Sequence, residues 1–262
     1  MNHDTLIKAL QNQGVPPTIT NRSIINNLYA DIKARIVTDC TGEYFRIERG
    51  VKQGDPMSST LFNCLLEEIF RQLKWEKKGI CINGKFLNNL RFADDIVLIA
   101  KNTAELGDMI KDLDEVSKNS GLQMNPKKTE ILSDDKSVNI IIENKKIEVV
   151  EEYVYLGQLI SFRNRTEKEI DRRVSLGWKK FWSLKHILKG PFSYYQKCQI
   201  FNSCIISPVI TYGAQTWSCT KKDLKKIEVT QNAMERSMMG VKLMDKVNLS
   251  KIKKIYVDIM QM

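Results

Sequence analysis

Asp94 and Asp95 stand side by side between two apolar runs, Leu90-Arg91-Phe92 and Ile96-Val97-Leu98-Ile99-Ala100. Apolar flanks imply burial, and adjacent carboxylates repel one another there, so the pair is costly unless something neutralises it. A divalent cation does so. Carboxylates that share two such ions can run phosphoryl transfer, one ion lowering the pKa of an attacking hydroxyl and the other taking charge from the leaving group. The plain alternative is a solvated Asp-Asp turn. A zinc cage is not indicated, because the six cysteines include no C-x-x-C pair and the chain has two histidines, His3 and His186.

The elements around the pair must then position it. Residues 4–35 predict two helices split by Gly14-Val15-Pro16-Pro17, the second with Ile24, Ile25, Leu28 and Ile32 at helical spacing. Extended stretches at 36–37 and 44–47 flank a turn at Asp39-Cys40-Thr41-Gly42 and predict a hairpin. Asp55 and Pro56 predict the cap and first turn of an amphipathic helix carrying Leu61, Phe62, Leu65, Leu66, Ile69, Phe70 and Leu73. Asn83-Gly84 between two extended runs is the strongest short-range hairpin signal in the chain. The Asp94-Asp95 segment itself reads as strand, tight turn, strand.

Residues 103–120 predict a helix that starts at Thr103, buries Leu106, Met109, Ile110, Leu113 and Val116, and stops at Gly121. A strand at 128–132 follows, then paired strands at 138–142 and 147–150, a pattern that 153–160 extends. After Ser161 the texture turns to basic helices. Two of them open with capping boxes, Thr166 with Glu169 and Ser193 with Gln196, and a third runs from about Lys221 to a stop at Gly240.

Several blocks resemble those of a reverse transcriptase from a LINE-type, non-LTR retrotransposon. Phe92-Ala93-Asp94-Asp95 resembles the [YF]-x-D-D turn of that family. Arg49 to Pro56, with Ser58 and Leu61-Phe62 after it, resembles the R-G-[VL]-[RK]-Q-G-[CD]-P-[LI]-S-x-x-L-F block that precedes the turn. Gly121-Leu122 with Asn125, Lys128 and Thr129 is similar to the G-L-x-x-N-x-x-K-T block, and Tyr155-Leu156-Gly157 to the primer-grip hairpin. His186 to Gly190, Thr211 to Trp217 and Ala233 to Met238 resemble the RTE-like group of such elements. Together the matches cover nearly the whole chain.

The resemblance implies an RNA-directed DNA polymerase with the right-hand fold, extending a DNA primer on an RNA template with deoxynucleoside triphosphates. It implies Mg²⁺ as the cofactor, with Mn²⁺ as a substitute. Asp94 becomes the main metal ligand, with Asp95 beside it. Arg49, Gln53 and Gly54 lie near template and incoming nucleotide, and Lys128 near the triphosphate, where a cation could stabilise or protonate the leaving group. Taken alone, Gln53-Gly54-Asp55-Pro56 is a plain helix-entry turn and Lys128 a surface lysine. The family also places a D-Y-x-K-A-F-D-S-V block, with a third metal-ligating aspartate, just before the segment that matches Asn2 to Leu6. The expectation is therefore a chain that starts past that block and past the fingers, with little or no polymerase activity by itself.

Charge divides the chain in the same sense. Residues 1–162 carry 21 Lys/Arg against 23 Asp/Glu, a net −2, whereas residues 163–262 carry 20 against 8, a net +12. A basic surplus confined to one segment suggests a polyanion held there, or lysines that only keep it soluble. With 42% hydrophobic and 27% charged residues the chain is expected to fold. The fold class is α+β: a partial polymerase palm over 1–161, an antiparallel sheet with packed helices, then an α-helical thumb and C-terminal helices over 162–262. Trp178, Phe181 and Trp182 read as core of that helical part, or as stacking partners for bases. A non-catalytic nucleic-acid-binding remnant is the second functional reading. No apolar leader or spanning run is seen, so an intracellular protein of nucleus or cytoplasm, without a membrane partner, is expected. Oligomeric state stays open.

Overall fold

The computed structural model describes residues 2–20, 25–30, 32–47 and 49–245. It divides into two compact units, one of residues 1–131 and 135–149, the other of 132–134 and 150–262. Helix and strand are mixed in the chain, as an α+β assignment requires.

The first unit opens with α1 (His3–Asn12), capped by the Asn2 side chain on the Asp4 N–H. Where a second helix was expected the described residues are helical at α2 (Pro17–Thr20) and α3 (Ile25–Ala30), and residues 21–24 between them lie outside the described residues. Ile24 lies outside the described residues, and Ile32 is not helical; its carbonyl accepts from the Ile47 N–H instead. The next hairpin pairs β1 (Lys33–Ala34) with β2 (Phe45–Arg46), earlier on its first arm than residues 36–37 suggest. Helix α4 (Pro56–Gln72) begins as its sequence dictates, with Asp55 accepting from the Met57 N–H and Pro56 at the first position.

Hairpins β3 (Ile80–Ile82) with β4 (Lys85–Leu87) and β5 (Asn89–Phe92) with β6 (Asp95–Leu98) follow. In the first, Asn83 and Gly84 both take positive φ, which is what a two-residue turn with matching strand twist demands. Helix α5 (Thr103–Asn119) is capped by Asn102 on the Glu105 N–H. Leu6 and Leu10, Ile25 and Tyr29, Leu61, Leu65 and Ile69, and Met109 and Leu113 close one core, so α1, α3, α4 and α5 each contribute an apolar face. A second core gathers Ile110 with Ile131, Val138, Ile140, Ile142 and Ile147.

Strand pairing differs from the expected sheet. Residues 138–142 do not pair broadly with 147–150. Instead β8 (Ile141–Ile142) pairs with β9 (Lys145–Lys146) across Glu143 and Asn144, both at positive φ. The strand β10 (Glu148–Val150) pairs with β7 (Glu130–Leu132). Every sheet among the described residues is two-stranded, so the continuous palm sheet is not present there.

In the second unit β11 (Glu152–Tyr155) and β12 (Gln158–Ser161) form a hairpin around Leu156-Gly157. The helices are α6 (Arg165–Ser183), α7 (Lys185–Leu188), α8 (Tyr194–Phe201) and α9 (Lys221–Met239), with a π-helix at Asn202–Ile210. Phe181, Leu188, Phe201, Ile205, Ile210, Met234 and Met238 make their common core. Ser193 and Gln196 form the expected capping box, and Thr220 with Asp223 forms a second that opens α9. The Thr166–Glu169 box does not exist. Asn164 caps α6 from the left-handed region without a side-chain bond, which puts Glu169 one turn inside the helix and buries it. Phe181 is fully buried and Trp178 packs on the core, but Trp182 is 49% exposed and stacks on Trp178 at 6.2 Å.

Candidate active site

The β5–β6 hairpin is built to present its tip. Ile96 and Leu98 turn inward against the first core, while Leu90 and Phe92 face solvent, Phe92 at 63% exposure. Arg91 fastens β5 to α4: its guanidinium lies 4.4 Å from the Phe70 ring centroid and 3.0 Å from a Glu67 carboxylate oxygen. Burial tends to raise the pKa of Glu67, but hydrogen bonds from Arg71 and Arg91 hold it below the ordinary value. Ala93 and Asp94 are the two turn residues, since Phe92 pairs with Asp95. Ala93 adopts φ 51°, a left-handed conformation that costs a β-carbon residue about 1–2 kcal/mol. Strain kept at such a tip is the kind found at functional turns.

Asp94 and Asp95 are both exposed, which overturns the expected burial. No residue of the apolar flanks is fully buried, the β5 side being exposed around the tip and residues 96–100 half-buried, so the pair is solvated and needs no counter-ion to exist. Two adjacent carboxylates can still give oxygen ligands to one hard cation. They do not fit a two-cation site by themselves: among the described residues no third His, Cys, Asp or Glu side chain joins them.

The Arg49–Pro56 block lies in the same unit and is held by two side chains, Ser58 and His3, and by a backbone bridge. Ser58 donates its hydroxyl to the Lys52 carbonyl at 2.5 Å, and Asn2 bridges to Arg49. His3 Nε2 sits 2.8 Å from the Gly50 carbonyl, which can only accept, so Nε2 carries the proton. Arg49, Gln53 and Gly54 are exposed. Gly54 has φ 89° and a β-carbon there would meet nothing within 4 Å, so the backbone demands glycine while the space above it stays open. Lys128 is exposed on a turn organised by Asn125, whose carbonyl accepts from the Lys128 and Thr129 N–H groups.

The Tyr155-Leu156-Gly157 segment lies in the second unit. Leu156 (φ 47°) and Gly157 (φ 76°) make its turn, and Tyr155 is half-buried beside them. Both turn carbonyls are taken, Leu156 O by the Tyr212 hydroxyl at 3.0 Å and Gly157 O by the guanidinium groups of Arg172 and Arg173. His3, Arg172, Arg173 and Tyr212 were not picked out as individual site residues from sequence. His3 lies in the segment Asn2 to Leu6 and Tyr212 in the block Thr211 to Trp217, both of which match the family, whereas Arg172 and Arg173 lie in no matched block.

The reverse transcriptase (RNA-dependent DNA polymerase) family profile matches residues 1–160. Over 168 residues the chain is 32% identical to a transposon-derived protein of Caenorhabditis elegans, covering 62% of this chain and 60% of that one. It is 32% identical over 134 residues to the retrovirus-related Pol polyprotein from the type-1 retrotransposable element R2 of Nasonia vitripennis, 51% of this chain and 13% of that protein. An R2 Pol polyprotein of Popillia japonica is 24% identical over 239 residues, 86% of this chain and 32% of the other. The chain thus spans about three-fifths of the first relative's length and much less of the polyproteins. With the profile covering well over half of its residues, the chain belongs to the reverse transcriptase (RNA-dependent DNA polymerase) family, of the kind that non-LTR retrotransposons carry.

Proposed function

We propose that this chain is the palm and thumb portion of a retrotransposon reverse transcriptase, residues 1–161 and 162–262 respectively, whose work is to extend a DNA primer on an RNA template. Reverse transcriptases use divalent metal ions and act on nucleic acid and nucleotides, and no helix among the described residues is long and apolar enough to cross a membrane. Mg²⁺, or Mn²⁺ in its place, supplies charge neutralisation at the reacting phosphate when bound. The finer RTE-like assignment rests on the C-terminal motifs, since the retrotransposon relatives carry the R2 name. Six free cysteines suit a reducing interior, nucleus or cytoplasm.

The observation that carries this reading is the hairpin tip: two carboxylates held outward by Ala93 and braced on α4 through Arg91. In this reading Asp94 and Asp95 hold the cation, and Gln53, Gly54 and Arg49 line the path of template and nucleotide. Lys128 meets the triphosphate, and Tyr155, Leu156 and Gly157 hold the primer. Because the acid pair is a partial donor set, the chain by itself has little or no polymerase activity. Primer extension by the purified chain on a poly-rA template tests this. Background incorporation is expected, and incorporation that Asp94→Asn abolishes would overturn the inactivity.

The basic second unit favours a second reading, a nucleic-acid-binding remnant. Lys179, Lys180, Lys185 and Lys221 are exposed there. Duplex binding that weakens steeply with salt and survives Asp94→Asn supports it. Affinity no better than that of an unrelated protein of equal charge sinks it.

A further inference from the structure

The Leu156-Gly157 turn is gripped from two sides by groups outside the hairpin. The Tyr212 ring lies flat enough against Gly157 that a β-carbon there would come within 3.3 Å of Cε1, and its hydroxyl donates to Leu156 O. The Arg173 guanidinium stands 4.6 Å from the centroid of the same ring, donates to Gly157 O and reaches Val209 O at 3.4 Å. Glu169, 1% exposed, aims that arginine: it accepts from Arg173 at 2.6 Å, from Arg172 at 2.8 and 3.0 Å, and from the Leu159 N–H at 3.1 Å.

Such a cluster is an expensive way to stabilise a fold, because burying Glu169 and Arg173 forfeits their hydration. The better-attested use of a buried polar network is to select one arrangement over others. A lone two-stranded hairpin needs that help, being marginal in water. The π-helix completes the device. Wide turns of this kind cluster at functional sites, and here the segment Asn202–Ile210, with Pro208 inside it, offers the Val209 carbonyl to Arg173 and ends two residues before Tyr212.

We propose that Arg173, braced by Glu169, and Tyr212 are positioning residues that fix the Leu156-Gly157 turn in the orientation in which it receives the primer strand. The proposal rests on the assignment of that turn as the primer grip. None of these side chains need touch the nucleic acid; they act through the turn.

Tyr212→Phe tests it on the whole chain, since the ring stays against Gly157 and under Arg173 while the hydroxyl is lost. Two quantities are read: amide hydrogen exchange across 153–160, and the ratio of affinities for a recessed-3′ template-primer and a blunt duplex of the same sequence. Exchange across the hairpin is expected to rise about fivefold, the size of one ordinary hydrogen bond. The preference for the recessed end should fall by a similar factor, with blunt-duplex affinity and exchange in α9 unchanged. Arg173→Lys, which keeps the charge and loses the fork, should do more to both. Unchanged exchange across 153–160 in Tyr212→Phe overturns the positioning role. If exchange rises but the unaltered chain never distinguishes recessed from blunt ends, the primer-grip assignment fails, and the proposed purpose of the lock fails with it.

Discussion

Two tight turns in this chain carry family motifs, and they are held in opposite ways. At Ala93-Asp94 the polar groups point into solvent, and the hairpin is secured behind the tip by Arg91 on α4. At Leu156-Gly157 the backbone carbonyls themselves are seized by Tyr212, Arg172 and Arg173, with Glu169 buried behind them. A turn that must meet a diffusible cation gains from standing open, whereas one that must present a fixed backbone edge to a polymer gains from being immobilised. That is the difference that the roles proposed for the two turns require.

The largest effect that can break this comparison is at Glu169. Glu169→Gln leaves Arg172 and Arg173 without their carboxylate, one of them buried, and should destabilise the second unit by about 3–5 kcal/mol in urea unfolding. A loss below about 1 kcal/mol would mean that the cluster is not a buried ion network in solution. Acid sharpens the point. Burial pushes the Glu169 pKa up, yet hydrogen bonds from Arg172, Arg173 and the Leu159 N–H bring it below the ordinary 4.5. A carboxylate depressed by folding adds stability above its unfolded pKa, and that contribution is lost as pH falls from there through the folded value. The acid limb of stability should therefore steepen below pH 4.5 in the unaltered chain and flatten in Glu169→Gln.

Next in size is Gly177→Ala on α6. Its new methyl would lie 2.9 Å from Ile210 Cγ1 and 3.0 Å from Cδ1, so overpacking should cost about 1–3 kcal/mol by the same measurement. Neutrality there would show that the seat of α6 on the π-helix is slack. Ala93→Gly should act in the other direction and more weakly, stabilising the first unit by up to about 1 kcal/mol through relief of the left-handed strain. Smallest of all is Asp94→Asn, expected within about 0.5 kcal/mol of neutral because the side chain is exposed. A large loss there would erase the contrast between the turns.

What could be read from sequence was what local rules decide. Asp55 with Pro56, Asn83-Gly84, Ser193 with Gln196 and the Gly240 stop all stand where pattern puts them, because each is settled within a few residues of itself. The acid pair is legible from its type, its apolar flanks and its motif, yet its environment is not: burial depends on what packs over a strand, and the flanks are at most half-buried, with Ile96, Leu98 and Ala100 against the core. Glu169 shows the same limit. Its spacing from Thr166 spells a capping box, but the Leu159 N–H and two arginines compete for it, and a long-range partner is invisible in a local pattern. Trp182 follows Phe181 by one position, about 100° around the helix, and so leaves the core that Phe181 enters. One signal was present and passed over: Thr220 three residues ahead of Asp223 opens α9 with a capping box.

Whether Asp94 and Asp95 share a cation or merely shape a bend is best measured by Mn²⁺ binding to the whole chain, followed by electron paramagnetic resonance and compared with Asp94→Asn. One weak class of site is expected, with a dissociation constant on the order of 10⁻⁴–10⁻³ M as for loosely coordinated oxygen sites, absent from the variant. Binding curves that coincide for the two proteins would contradict the metal-holding role of the hairpin tip.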